Sequence, residues 1–252
     1  MWTKEKIELL IESYPDKGGR YCSELLGLGI RQVSSKVQNL NLSRTPPLVL
    51  SDFSNVQTPE VAYILGLLWA DGYIQKPYTT NIECVSDDMV IFKPIFDSIG
   101  KWSDYTRVRS HRPVTKLTLS DKSLVTLLSS FDYNSKSIIS PDKVINSIPE
   151  NLQHYWFRGL VDGDGCFYYN PKHYIRHFVI SSSYNQDWSY FELLCVKLNV
   201  RYKIIQKKTS KGNHSLIRVS DRKSIQHLGE YIYDGISLGL PRKKDKYLEI
   251  IK

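Results

Sequence analysis

The 252 residues, 41% of them hydrophobic, suffice for one large domain or two modest ones with a real core, and the net charge of +8 points to a polyanion partner, most simply nucleic acid. No apolar run approaches a membrane span, and MWTKEKIELL has neither an apolar signal core nor an Arg/Ser-rich transit pattern, so a membrane partner is excluded. The protein is expected to act in the cytoplasm or in the organelle that encodes it. The four cysteines, Cys22, Cys84, Cys166 and Cys195, show no CxxC spacing, which argues against structural zinc and for reduced thiols.

The chain opens with Thr3 as an N-cap, followed by a helical face of Ile7, Leu10, Ile11 and Tyr14. Pro15 to Gly19 break this helix, and a second short one is expected over Tyr21 to Leu26. After a Gly27/Gly29 turn comes a third helix, Ile30 to Leu40, with Ile30, Val33, Val37 and Leu40 inward. Three short helices with a Gly turn fit a helix-turn-helix over residues 1–45, whose DNA-facing residues would be Arg31, Gln32, Ser35 and Lys36. The competing reading is a helical cap that stabilises the rest. The Trp2-Thr3 opening and the ending KVQNLNL (Lys36 to Leu42) resemble Myb/SANT-like modules. Ser43 to Asp52, with Pro46-Pro47, reads as part of a linker over 46–57.

Thr58 and Pro59 then start a helix running to about Ala70. Strands are expected at Tyr73–Lys76 and Thr80–Val85, a helix at Asp88–Ile99, strands at Tyr105–Ser110 and Val114–Leu119, and a helix at Asp121–Phe131. The order is αββαββα over 58–150, and 151–252 repeats it. A helix through Tyr155–Gly163 is followed by strands at Cys166–Asn170 and His177–Ser182, a helix at Asp187–Leu198, strands at Tyr202–Lys207 and Ser215–Val219, and helices at Asp221–Tyr233 and Arg242–Ile251. The duplication is audible in LTLSDKSLVTLL (Leu117 to Leu128) against IRVSDRKSIQHL (Ile217 to Leu228). The expected fold is therefore α+β: two αββαββα repeats about a pseudo-two-fold axis, two antiparallel sheets forming a saddle, and a small all-α N-terminal domain.

Everything centres on AYILGLLWADGYI (Ala62 to Ile74) and its echo YWFRGLVDGDGCF (Tyr155 to Phe167). Gly66 and Ala70, like Gly159 and Gly163, are four apart and so share a helix face, which lets two helix backbones approach closely. Gly72 and Gly165 read as helix stops. Asp71 and Asp164 would then meet at the C-terminal ends of the pair, where carbonyls are already unpaired and partial charge is negative. A divalent cation between them resolves the repulsion. Carboxylates, the carbonyls of Ala70 and Gly163, and water are hard oxygen ligands suited to Mg²⁺ or Mn²⁺.

ILGLLWADG (Ile64 to Gly72) and FRGLVDGDG (Phe157 to Gly165) resemble the two signature motifs of the LAGLIDADG homing endonucleases. The resemblance implies that Asp71 and Asp164 bind the catalytic metal and that a single chain, without an obligate protein partner, makes a staggered double-strand break in DNA with short 3′ overhangs. The first motif departs from the pattern where Trp69 replaces an acid that the second motif keeps as Asp162. Lys136, and Lys243 or Lys244, resemble the family's peripheral lysines and would assist the phosphate charge. The alternative on the same scaffold is a non-cleaving binder, such as an intron-splicing maturase whose partner is intron RNA.

Alternate side chains of a half-exposed strand face outward. The DNA-contact candidates on the strands are Tyr73, Gln75, Asn81, Glu83, Arg107, Arg109 and Lys116 in the first repeat, with Tyr105 sharing the parity of Arg107. In the second they are Tyr169, Arg176, His177, Lys203, Gln206, Lys208 and Arg218. Both parities of Tyr202–Lys208 carry polar groups, so its facing is open. Such strands fit a major groove, where Arg and Lys read guanine and Gln or Asn read adenine.

Overall fold

The structure, a computed structural model, describes residues 2–42, 53, 56–76, 78–210 and 212–252. It divides into two compact units, Met1–Leu50 and Ser51–Lys252. Most of the expected linker, residues 46–52 and 54–55, lies outside the described residues.

The first unit is α-helical. In α1 (Lys4–Leu26) the Thr3 hydroxyl accepts from the Lys6 amide at 3.3 Å. The expected break over Pro15 to Gly19 is a kink rather than a loop. Gly18 alone leaves helical geometry, at φ 79°, a value glycine reaches without a Cβ penalty. Gly27 closes α1 in the left-handed conformation at φ 60°, and α2 (Ile30–Asn39) follows. Leu10, Cys22, Leu26, Val33 and Val37 form the core of this unit. Ile30, expected inward, is instead exposed at the first position of α2.

The second unit begins its first repeat with α3 (Pro59–Asp71), N-capped by Thr58 and with Pro59 in the first turn. Then come β1 (Gly72–Lys76), β2 (Thr79–Val85), α4 (Ser86–Ile99), β3 (Ser103–Arg109), β4 (Arg112–Ser120) and α5 (Lys122–Ser130). A link not foreseen in the sequence holds 3-10 turns at Tyr133–Ser135 and Glu150–Leu152 and the short α6 (Asp142–Asn146). The second repeat is α7 (Gln153–Asp164), β5 (Gly165–Asn170), β6 (Ile175–Ser183), α8 (Ser189–Lys197), β7 (Lys203–Thr209), β8 (Gly212–Val219), α9 (Arg222–Tyr233) and α10 (Pro241–Ile251). Each repeat forms a four-stranded antiparallel sheet, in the orders β1-β2-β4-β3 and β5-β6-β8-β7.

The motif helices α3 and α7 pack along each other between the repeats, and one continuous core spans both. α3 is apolar all round and buried from Val61 through Trp69, as a helix with protein on every side must be. Among the described residues no helix is long and apolar enough to cross a membrane.

A candidate metal centre at the ends of two paired helices

The α3–α7 contact depends on the absence of side chains at two positions. A Cβ on Gly66 would overlap the Trp156 carbonyl and lie 2.9 Å from the Leu160 amide, and one on Gly159 would overlap the Tyr63 carbonyl. Each glycine thus meets the backbone three residues before its counterpart. One turn further on, a Cβ on Gly163 would strike Ala70. The small-residue faces expected from the sequence are the faces in contact.

Gly72 and Gly165 end the helices, but not as left-handed caps. Their φ values are −78° and −76°, and the chain passes directly into a strand. Glycine is needed there for space, since a Cβ would come within 2.7 Å of the carbonyl of Leu68 or Val161 four residues back.

These turns leave Asp71 and Asp164 solvent-accessible at adjacent helix ends, and among the described residues neither makes a hydrogen bond or ion pair. Desolvation between the helix ends raises both carboxyls above their ordinary range. Asp164, which also feels the charge of Asp71, rises to about 6, while Lys136 and Lys243 oppose the shift at both sites. Lys136 and Ser137 line a crevice beside Asp164, together with Ala70, Ser181 and Gln186.

The two lysines occupy matching places. Lys136 Nζ donates to the carbonyls of Leu68 (2.9 Å) and Ala70 (2.8 Å), closing the end of α3. Lys243 Nζ lies within bonding distance of the carbonyls of Val161 (2.7 Å), Asp162 (2.6 Å), Gly163 (3.1 Å) and Gly165 (2.8 Å), closing α7. Burial lowers both ammonium pKa values to about 8. Lys243, rather than Lys244, is the residue at this position. The Ala70 and Gly163 carbonyls therefore already accept a lysine proton, and each keeps a second lone pair.

Where the motifs differ, so does the packing. Trp69 stacks edge-on against Tyr133 and Trp156. Asp162 is buried, and its Oδ2 accepts from Tyr63 Oη (2.8 Å), Arg158 Nε (2.9 Å) and the Leu240 amide (2.9 Å), tying α7 to the approach to α10.

The strand registers decide which residues share the outward face. Ile82 and Leu117 are paired and fully buried, so the neighbouring rows point away from the core. Those rows hold Tyr73, Asn81, Thr118 and Ser103, then Glu83, Lys116 and Tyr105, with Arg107 and Arg109 further along β3. All the first-sheet candidates except Gln75, which sits at the irregularity in β1, are thereby placed on one face by pairing, but Asn81, expected to contact DNA, is fully buried there and accepts from Thr118 Oγ1 at 2.8 Å. Gln75 joins them through its side chain, whose Oε1 accepts from Asn81 Nδ2 at 3.4 Å. Glu83 binds the guanidinia of Arg107 (2.9 Å) and Arg109 (3.4 Å).

In the second sheet Ile180 and Ile217 mark the inner face. His177, Arg218 and Lys203 face outward, but Tyr169, Arg176, Gln206 and Lys208 belong to the opposite parity. Tyr169 packs on the core opposite Arg176, and Gln206 and Lys208 turn to Tyr184. The outward aromatic is Tyr168, stacked on His177 with ring centroids 4.9 Å apart. The 93-residue offset of the motifs, from 71 to 164, would have found it, because the outward pair Tyr73 and Gln75 maps onto Cys166 and Tyr168. Lys207, on the same parity as Lys203, faces outward opposite His214.

In the first unit Arg31 and Ser35 are exposed. Gln32 Oε1 accepts from the Gly29 amide (3.2 Å), and Lys36 lies over the Trp2 ring (5.7 Å).

No family profile matches this sequence, and no curated protein matches it either. Solved structures do share the fold. I-DmoI in complex with DNA and Ca is 16% identical at a TM-score of 0.50, covering 76% of this chain and 97% of that one. The K262A mutant of I-SmaMI is 14% identical at 0.51, with 77% and 90% covered. The LAGLIDADG meganuclease I-AabMI bound to uncleaved DNA is 10% identical at 0.50, again with 77% and 90% covered. The chain thus has the two-repeat fold of the LAGLIDADG homing endonucleases.

Proposed function

We propose that this chain is a site-specific, divalent-metal-dependent DNA endonuclease that makes a staggered double-strand break as a monomer. The observation that carries the reading is the pair Asp71 and Asp164, unpartnered and unfavourably close at the ends of two helices held together by reciprocal glycines. I-DmoI and I-AabMI, which share the fold, were solved with DNA.

The donor set fits a hard cation. Two carboxylates and the free lone pairs of the Ala70 and Gly163 carbonyls are oxygen ligands of the kind Mg²⁺ and Mn²⁺ prefer. Among the described residues no group of three His, Cys, Asp or Glu side chains gathers to hold a metal, so DNA phosphate and water must complete the coordination. When bound, the cation supplies an activated water and stabilises the leaving oxygen. Asp71 and Asp164 position it for the two DNA strands. Lys136, only partly buried in the crevice beside Asp164, faces the phosphate charge, and Lys243 fixes the end of α7. The outward rows of both sheets lie along the duplex on either side, and the first unit, read as a helix-turn-helix, adds a further DNA contact.

The test is cleavage selection on a randomised duplex library in Mg²⁺, followed by Asp71→Asn and Asp164→Asn. Each substitution should abolish double-strand cutting while leaving DNA affinity largely intact. A variant that still cuts both strands at the wild-type rate removes that aspartate from the mechanism. Selective RNA binding without cleavage would move the assignment to the maturase class.

A further inference from the structure

We infer that the two sheets read different base chemistry, and that the half-site under the second sheet carries a thymine whose 5-methyl group packs against the partly exposed Val179 and Ile205, beside the buried Leu216. This rests on the DNA-binding part of the reading above. Because Gly72 pairs with Ile82 and Gly165 with Ile180, the two sheets are superposable row by row. Val179 occupies the position of Asn81, Leu216 that of Lys116, Ile205 that of Tyr105 and Ser181 that of Glu83. Three outward positions that carry an amide, an ammonium and a phenol in the first sheet carry only hydrocarbon in the second.

Hydrocarbon at the centre of a base-reading surface restricts what can lie beneath it. A guanine, adenine or cytosine edge pressed there would lose its water and gain no partner. Thymine alone presents a methyl group in the major groove. The rest of the row supports such contact. Arg218 and Lys203 follow Val179 across the sheet, two cations suited to a guanine acceptor next to the thymine. The first sheet has the reverse character. Glu83, bound to two arginines and paired with Lys116, can accept only from an exocyclic amine such as cytosine N4. The preferred target is therefore asymmetric.

The experiment uses the full chain and the site it selects, with binding measured in Ca²⁺. Each thymine is replaced in turn by deoxyuridine, which removes only the methyl group. At one position in one half-site, affinity should fall about fourfold, the worth of one buried methyl. Ile205→Ala, a change on an edge strand, should remove most of that penalty while keeping wild-type melting behaviour. Ile205→Gln should shift the preferred base from thymine toward adenine. A site with no deoxyuridine-sensitive thymine, or one whose sensitivity survives both Ile205 substitutions, overturns the inference. Selective binding with the methyl effect but without cleavage would sustain it while removing the nuclease reading. No selective DNA binding at all removes both.

Discussion

Asp71 and Asp164 are held where like charges are costly, and the sign of that cost gives a stability prediction without any DNA. Asp164 has a folded pKa of about 6 against an ordinary 3.8. Between those values the folded state binds more protons than the unfolded one, so this group's contribution falls as pH rises through about 4 to 6, and the deficit persists at pH 7. Asp164→Asn should therefore raise the metal-free melting temperature at pH 7, with the gain fading below pH 4. Mg²⁺ should stabilise the wild type but not the Asp71→Asn/Asp164→Asn protein. Melts across pH with and without Mg²⁺ check both, and a variant no more stable than wild type at pH 7 would show that the acids are not in conflict. The lysines behave oppositely, since a folded pKa near 8 against 10.5 makes their contribution rise with pH over that interval. Their hydrogen bonds still hold helix ends. Lys243→Met would remove a buried donor shared by four carbonyls and should cost about 1–3 kcal/mol, more than Lys136→Met, after which the Leu68 carbonyl still accepts from Tyr133 Oη and the Gly72 amide. Equal losses in urea melts would contradict the geometry. Which lysine fills this place was not legible in Arg242-Lys243-Lys244, because only the helical phase set by Pro241 turns Lys243 inward.

Among the elements, α3 and α7 were the most legible because close helix approach demands small residues at fixed spacing, and that demand appears twice. The contact is tight enough to predict the effect of a single methyl group. Gly66→Ala and Gly159→Ala each place a Cβ into the opposing carbonyl, backbone that cannot swing aside. Each should destabilise by at least about 3 kcal/mol, the upper end of ordinary overpacking costs. Denaturant melts test this, and near-neutral values would mean the helices sit further apart. Strand facing was less legible. In β7 two isoleucines, Ile204 and Ile205, occupy both parities between polar neighbours, so alternation carries no signal, and the pairing of Ile204 with Ile217 settles the face. In β5 the adjacent Tyr168 and Tyr169 are alike in letters and opposite in direction. The link before α7 was missed because helices of three to five residues are too short to repeat a hydrophobic pattern. Asp162 is a buried junction, a role fixed by Tyr63 and Leu240, both distant in sequence.

At the scale of the whole molecule, the first unit has its own core and the second buries Phe53 against Trp102, with ring centroids 6.4 Å apart. A chain beginning at Ser51 keeps Phe53 and both motif helices, so it should fold and cut the same phosphates as the full chain. What it should lose depends on what residues 1–45 do. If they form a DNA-binding helix-turn-helix, with Arg31 and Ser35 exposed on α2, they extend the bound site beyond the two sheets. Joining a second binding unit to the first raises affinity through effective concentration without altering the nuclease contacts. Each phosphate the unit neutralises also steepens the salt dependence by about 0.9 in log–log slope. The truncated chain should then bind more weakly, with a shallower salt slope and a shorter footprint. If the unit is only a helical cap, truncation should lower the melting temperature and leave footprint and slope unchanged. Footprinting both proteins at matched occupancy, with affinities measured across a salt series, separates the two outcomes, and footprints of equal length would assign residues 1–45 to stability rather than DNA.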